Sequence, residues 1–244
     1  GGTGVGKMEN IKIIKNKIKN FFILKKKLKG KKILITAGST IEAIDPIRYI
    51  SNFSSGKQGY EIANCAYTYG AETILITGPT NIEPPEVNKI IKVQSAKQMF
   101  NESMKICKKY KPIDVAFLAA AVSDWKISKS NKKYKKNENI FKQIKFKENK
   151  DILHMISNLK KNRPKIVCGF AAETNSLISN ARKKLINKNC DFIFANKISN
   201  KFNPLGNDFN QISIIGKNNL KNWNKMSKKR VAEKIIQEVS SYLN

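Results

Sequence analysis

Short apolar runs alternate with amphipathic stretches along most of this chain. Residues 32–38 (KILITAG) are apolar on both faces and end in a glycine, as a buried strand running into a turn does. The same pattern recurs at 72–78 (ETILITG), 89–94, 114–122, 165–170, 191–196 and 211–216, and predicts a strand at each. Between them lie stretches with helical spacing. Residues 60–69 are closed by Gly70, 95–110 open on Ser95 as an N-cap, and 151–159, 179–188 and 227–243 complete the set. Ahead of all these, Lys and Asn alternate with Ile, Phe and Leu at near-helical spacing over 11–28, and Gly30 ends that stretch. Strands alternating with helices predict an α/β class, a Rossmann-like, doubly wound, mostly parallel sheet with helices on both faces. Residues 126–150 break the alternation. They are dense in lysine, with Lys132-Lys133-Tyr134-Lys135-Lys136 at the centre and an alternating stretch over 141–147, and they predict a lysine-rich flap with a hairpin-like arm.

Open sheets of this kind bind ligands in the crevice beyond the carboxyl ends of their strands. Here those ends carry Gly38, Gly78-Pro79, Ser123-Asp124, Phe170 with the Ala-Ala-Glu-Thr that follows, and Asn196. After the first strand comes Ser51-Asn52-Phe53-Ser54-Ser55-Gly56-Lys57-Gln58-Gly59, directly before a predicted helix. Glycines there let the backbone approach an anion, hydroxyls add donors, and a helix N-terminus adds a positive dipole. Gly1 to Lys7 (GGTGVGK) imitates a P-loop, but position 8 is Met where the Mg²⁺-binding hydroxyl is required.

Charge changes the picture less than its size suggests. The 244 residues hold 47 Lys and Arg against 18 Asp and Glu, a net charge of +29 that invites a polyanion as partner. Yet 43 of the 47 cations are Lys, and Asn (28) and Ile (34) are also abundant. These are the residues of A/T-rich codons, so lysine spread over a solvated surface is the competing reading. Arg, which makes bidentate contacts to phosphate and guanine, is scarce. Cys65, Cys107, Cys168 and Cys190 are scattered without a Cys-x-x-Cys pair, which excludes the usual zinc and disulfide frameworks and predicts small buried hydrophobes. The single histidine, His154, excludes a His-rich metal centre and reads as a helix-surface residue. No run of 18 apolar residues occurs, which argues against a membrane span. Chemistry is left to Lys, Asn, Asp and backbone dipoles.

Several stretches in order carry a resemblance. Thr36-Ala-Gly-Ser-Thr40, Asp45 through Arg48 to Gly59, Ala119-Ala120-Ala-Val-Ser-Asp124-Trp125, Lys133-Tyr-Lys-Lys136, Gly169-Phe170-Ala-Ala-Glu-Thr-Asn175 and Ala195-Asn196 are similar to bacterial phosphopantothenoylcysteine synthetase, from about Lys31 onward. Residues 4–11 resemble the end of the flavin-dependent decarboxylase often fused ahead of it. The resemblance implies a domain of 31–244 behind a decarboxylase remnant and linker helix at 1–30, with no flavin site in these residues. It implies a cytoplasmic homodimeric ligase that joins 4′-phosphopantothenate to L-cysteine with CTP and Mg²⁺, through an acyl-cytidylate. Pyrophosphate and CMP are released, a step of coenzyme A biosynthesis.

Matched position by position, the resemblance implies Asn52 as the residue that turns the intermediate over to cysteine and Lys133 as a flap lysine over the reacting phosphate. Ser54, Ser55, Gly56 and Gly59 match the triphosphate loop. Gly38, Asp124, Asn149, Lys150, Asp151, Ile152, Phe170, Lys184, Lys188 and Asn196 match nucleotide-site positions. Arg48, Asn52, Ala119, Ala120 and Asp124 match phosphopantothenate contacts, with Arg48 serving the neighbouring subunit. No metal-ligating side chain is implied. Ser39 and Lys150 stand where the family has proline, which loosens two turns. Two other classes remain open: a basic nucleic-acid-binding module, favoured by the charge and the 126–150 lysines, and a dinucleotide-binding oxidoreductase, disfavoured because only Gly38 follows the first strand where Gly-x-Gly-x-x-Gly is needed.

Overall fold

The computed structural model describes residues 8–15, 27–110, 112–135, 144–199 and 203–243. In chain order it contains β1 (Lys32–Ala37), β2 (Ile41–Ala43), β3 (Tyr49–Ser51), α1 (Lys57–Thr68), β4 (Glu72–Thr77), β5 (Lys89–Lys92) and α2 (Ala96–Lys109). Then follow β6 (Val115–Leu118), β7 (Trp125–Ile127), β8 (Phe146–Glu148), α3 (Ile152–Ser157), β9 (Ile166–Glu173), α4 (Leu177–Lys188) and β10 (Phe192–Lys197). The last are β11 (Phe209–Asn210), β12 (Ser213–Gly216), β13 (Leu220–Asn222), β14 (Met226–Ser227) and α5 (Lys228–Ser240). The main sheet has the order β13-β12-β10-β9-β6-β1-β4-β5. Neighbours from β5 to β10 are parallel, and β12 and β13 extend one edge antiparallel. This is the doubly wound α/β architecture that the alternation of strands and helices predicts.

Burial explains why these runs are strands. Ile33, Ile35 and Ala37 of β1 join one core with Phe117, Cys168, Phe194 and the inner faces of α1 and α5. Leu34 joins the other, with Ile74, Ile76, Ala116, Val167, Ile193 and residues of α2, α3 and α4. Side chains alternate across a strand, so a strand covered on both faces is apolar on both, apart from threonines such as Thr73 and Thr77 whose hydroxyls are hydrogen-bonded. Ser95 caps α2 in a reciprocal capping box with Gln98, as the sequence suggests.

Boundaries differ from expectation in informative ways. Helix α1 begins at Lys57 rather than Tyr60. Gly56 takes φ +72° as its N-cap and reverses the chain. A Cβ on Gly59 would lie 2.6 Å from the Cβ of Ala37, so only glycine lets this first turn seat against β1. What reads as loop glycine is helix-packing glycine. The apolar run 114–122 stops being a sheet strand at Leu118. Residues 119–121 continue as a shelf hydrogen-bonded to the end of β1 (Ala119 N–H to Thr36 O, 3.1 Å; Ala121 N–H to Gly38 O, 2.8 Å). The arm of 126–150 is an antiparallel β7–β8 pair, Trp125–Ile127 against Phe146–Glu148. The glycine-rich start, most of the 11–28 stretch, and Lys136 with 137–143 of the flap lie outside the described residues.

Candidate functional site

After β1 the chain builds α1, β4 and β5 on one side of the sheet; it then crosses to β6 and builds the other side. Connections therefore diverge between β1 and β6, and a crevice opens beyond their carboxyl ends. Two lobes fill it, one of about 700 Å³ and one of about 360 Å³. Both are lined by Ala120, Val122, Asp124, Phe170 and Lys184, so they form one cleft with a shared wall.

The wider lobe gathers Asn52, Ser54, Ser55, Gly56 and Gly59 from the loop after β3 and the first turn of α1. Ala119 comes from the shelf, and Asn196 from β10. Gly56 offers no capping side chain and the first turn of α1 has no acidic residue; the Gly56 and Lys57 N–H groups donate to the Ser54 and Ser55 hydroxyls at 3.2 and 3.4 Å, so the loop serines and the positive end of the helix face the lobe together. Asn52 donates from Nδ2 to the Val122 carbonyl at 2.9 Å. That bond fixes the amide across the loop and leaves Oδ1 as an acceptor.

The narrower lobe takes Asn149, Lys150, Asp151, Ile152 and Lys188. Here a turn without the family's proline is held by other means. Asn149 donates from its backbone to Asp124 O (2.8 Å) and from Nδ2 to Ser123 O (3.0 Å). Asp151 caps α3 by accepting from His154 N–H at 2.8 Å and pairs with Lys188 at 2.6 Å. Burial works against ionisation of Asp151, but the His154 N–H and Lys188 outweigh it and hold its carboxyl below the usual range. Lys150 lays its ammonium over the Phe100 ring, 4.8 Å from the centroid. Between the lobes, Lys184 donates to the Phe170 carbonyl at 2.8 Å. Burial lowers its pKa, with Asp151 and Glu173 opposing that effect.

Three nominated residues do not line the cleft. Gly38 turns the chain after β1 at φ +75°, and its Cα faces the Gly78 carbonyl closely enough that a Cβ would come within 2.8 Å. Arg48 is held within its own chain. It pairs with Asp45 at 2.8 Å and donates to the Tyr134 carbonyl at 2.6 Å, so it latches the near end of the lysine-rich flap. Burial opposes ionisation of Asp45, but backbone N–H groups of Ile47, Arg48 and Tyr134 and the Arg48 side chain bring its carboxyl down to about 2. Lys133, beside that latch, is exposed.

Sequence reading misses several lining residues, among them the polar Asn210 and Lys228 of the wider lobe. The only signal for Lys228 is a lysine at the first position of a helix, where the dipole disfavours it. The cysteines are buried and free as expected. Burial pushes the thiols of Cys65 and Cys190 up to about 12 and that of Cys107 to about 11, so none of these is a thiolate nucleophile at neutral pH. His154 is exposed on α3. Among the described residues, no group of three or more His, Cys, Asp or Glu is placed to hold a metal, and no helix is long and apolar enough to cross a membrane.

Strand order and cleft together define a Rossmann-like, doubly wound α/β protein with a two-lobed cleft at its switch point. Sequence comparison then makes the assignment: the chain belongs to the family described as DNA/pantothenate metabolism flavoprotein C-terminal domain, which matches residues 28–243. It is 42% identical over 238 residues to the coenzyme A biosynthesis bifunctional protein CoaBC of Borreliella burgdorferi, covering 96% of this chain and 59% of that protein. It is 37% identical over 246 residues to a cysteine/cysteine sulfinic acid decarboxylase from an unknown prokaryotic organism, covering 98% and 67%. The crystal structure of the C-terminal domain of a CoaBC protein superposes with a TM-score of 0.74 at 34% identity, covering 89% of this chain and 98% of that one. The chain thus spans about 59% of the length of the B. burgdorferi relative.

Proposed function

We propose that this chain is the synthetase part of a coenzyme A biosynthetic protein and joins 4′-phosphopantothenate to L-cysteine at the expense of CTP. The carrying observation is the two-lobed cleft, in which Lys184 stands on the shared wall between the Ser54–Gly59 loop and the Asn149–Ile152 turn. In this reading the cytidine sits in the narrower lobe against Asp124, Phe170 and residues 149–152, within reach of Lys188. The triphosphate runs past Lys184 to the loop and the first turn of α1, where the Ser54 and Ser55 hydroxyls, the positive end of the helix and a cation meet its charge. Phosphopantothenate shares the wider lobe with Asn52, Ala119, Ala120 and Asn196.

The carboxylate of phosphopantothenate attacks the α-phosphorus and pyrophosphate leaves, giving the acyl-cytidylate. Cysteine's amine then attacks the acyl carbon, and CMP leaves with the bridging oxygen. Cysteine reacts as the free amine: Asn52 Oδ1 accepts from one of its N–H bonds and so aims the nitrogen lone pair at the carbonyl, and the proton released as the amide forms passes to water. The flap with Lys133 closes over the phosphates, and Arg48 serves the neighbouring subunit of a homodimer after leaving Asp45. Mg²⁺ would arrive with the nucleotide and would neutralise part of its charge, with no side chain here assigned to hold it. Residues 1–30 are the end of a preceding decarboxylase unit and its linker, and no flavin chemistry is assigned to these residues. The setting is the cytoplasm.

Incubation with phosphopantothenate, cysteine and Mg²⁺ and each of CTP, ATP, GTP and UTP in turn tests the reading. Equal amounts of pyrophosphate and CMP are expected with CTP, and less product with the other three. A folded sample that releases neither sinks the proposal.

A further inference from the structure

Lys228 is the first residue of α5 and lines the wider lobe, yet it is only 3% exposed. Its ammonium has no carboxylate within ion-pair distance among the described residues. Three things make this an unfavourable place for a cation. It is buried, and burying an unpaired charge is costly. It stands at the positive end of a helix. It also has Lys57 as a neighbour: Gln58 Nε2 donates to the Lys228 carbonyl at 3.2 Å, which ties the starts of α1 and α5 together. Lys57 itself is engaged by Asp208 at 2.5 Å. Burial accordingly pushes the Lys228 ammonium down to about 8, with Lys57 adding to the effect and Asp208 opposing it. The starts of two helices and an unspent cation therefore border one lobe; Ser227 already caps α5 by accepting from the Arg230 N–H at 3.3 Å, and Ser54 and Ser55 accept from the first two amides at the start of α1, so the ammonium is the group left without a partner among the described residues. The first turn of α1 adds no carboxylate to it.

We propose that Lys228 is a phosphoryl-binding residue of the wider lobe, where its ammonium and the positive end of α1 together receive a phosphate or polyphosphate group. An anion there relieves all three unfavourable placements at once, which is why the cation is tolerated. The inference rests on the ligase reading for the identity of the ligand but not for its chemical class. The group is either the triphosphate of CTP or the phosphate of phosphopantothenate.

Calorimetric titration of the full chain and of Lys228→Met and Lys228→Arg with inorganic pyrophosphate, CTP–Mg²⁺ and 4′-phosphopantothenate, at pH 7 and pH 9, decides the matter. A charge-assisted hydrogen bond lost in Lys228→Met weakens the phosphoryl ligand by about tenfold to a hundredfold, and Lys228→Arg retains binding. Weakening confined to CTP and pyrophosphate assigns the triphosphate. Weakening confined to phosphopantothenate assigns its phosphate. In the native chain affinity falls as pH rises from 7 to 9, because the ammonium that the anion needs is titrated away. Lys184 on the wall across the lobe also has a lowered pKa, and Lys57 and Asp208 lie beside Lys228, so the difference between native and Lys228→Met isolates this residue's share. Lys228→Met melts no lower than the native chain, since an uncompensated buried charge has gone. Unchanged affinities for all three ligands in a folded Lys228→Met overturn the assignment. A native chain that binds pyrophosphate but neither CTP nor phosphopantothenate overturns the ligase reading and leaves Lys228 in place.

Discussion

Asn52→Asp is expected to release about one equivalent of pyrophosphate per chain and then stall with the acyl-cytidylate on the protein. Asn52 is exposed in the cleft, and its Nδ2 is spent on the Val122 carbonyl at 2.9 Å. Aspartate has almost the same shape but has no donor there. Its carboxylate would face the Val122 carbonyl oxygen, so the side chain must swing away from the shelf. The loop from Ser54 onward, proposed to hold the triphosphate, and Lys184 and Lys188 are untouched, so the first half-reaction is expected to persist. The second needs cysteine's amine held along the line of attack, and a misplacement of about 1 Å costs roughly a hundredfold. Rapid-quench measurement of pyrophosphate and CMP separately checks this. Full CMP turnover in the variant removes the role given to Asn52.

Lys184→Met should weaken CTP by about tenfold to a hundredfold, the worth of a charge-assisted hydrogen bond, and should slow the first half-reaction further because charge builds on the α-phosphate. Lys184 is the cation common to both lobes, and its stem is packed while its Nζ donates to the Phe170 carbonyl at 2.8 Å. Methionine keeps most of the stem contacts. Phe170 lines the cleft, where its carbonyl can take a water instead, so thermal stability should change little. Because burial lowers the Lys184 pKa, its charge is lost at a lower pH than that of a solvated lysine. CTP affinity should therefore decline on the alkaline side sooner than lysine's ordinary value predicts, and that decline should shrink in the variant. Pyrophosphate-release kinetics and CTP titration across pH read both effects. Native-like affinity at every pH would show that Lys184 does not meet the nucleotide.

The strands buried on both faces were legible because burial leaves little choice: β1, β4, β6 and β10 are almost continuously buried and each carries an apolar run of three or more residues. The pairs β2–β3 and β12–β13 were harder to read. β13 is exposed throughout, and β2 and β3 are three residues each, too short for a period to register. The Ser51–Gly59 loop was legible by composition, yet the same glycines hid the true start of α1. In the site, most residues named by motif on strand ends and their loops came together, Gly38 excepted because it serves the turn after β1. Arg48 and Lys133 did not, because the Asp45 latch holds that segment outside the cleft. Lys228 was invisible for a different reason. It is one of 43 lysines, and only the folded chain reveals that this one is buried. The +29 charge is mostly solvated surface, and the part with a site to serve is a handful of cations around one cleft.

The most direct test follows an oxygen. With 4′-phosphopantothenate labelled with ¹⁸O in its carboxylate, ligation through an acyl-cytidylate leaves one labelled oxygen in CMP, because the carboxylate oxygen that attacks the α-phosphorus departs with it. Mass spectrometry of the CMP and pyrophosphate should find the label in CMP alone. Label in inorganic phosphate or pyrophosphate, or unlabelled CMP alongside ligated product, would contradict the account.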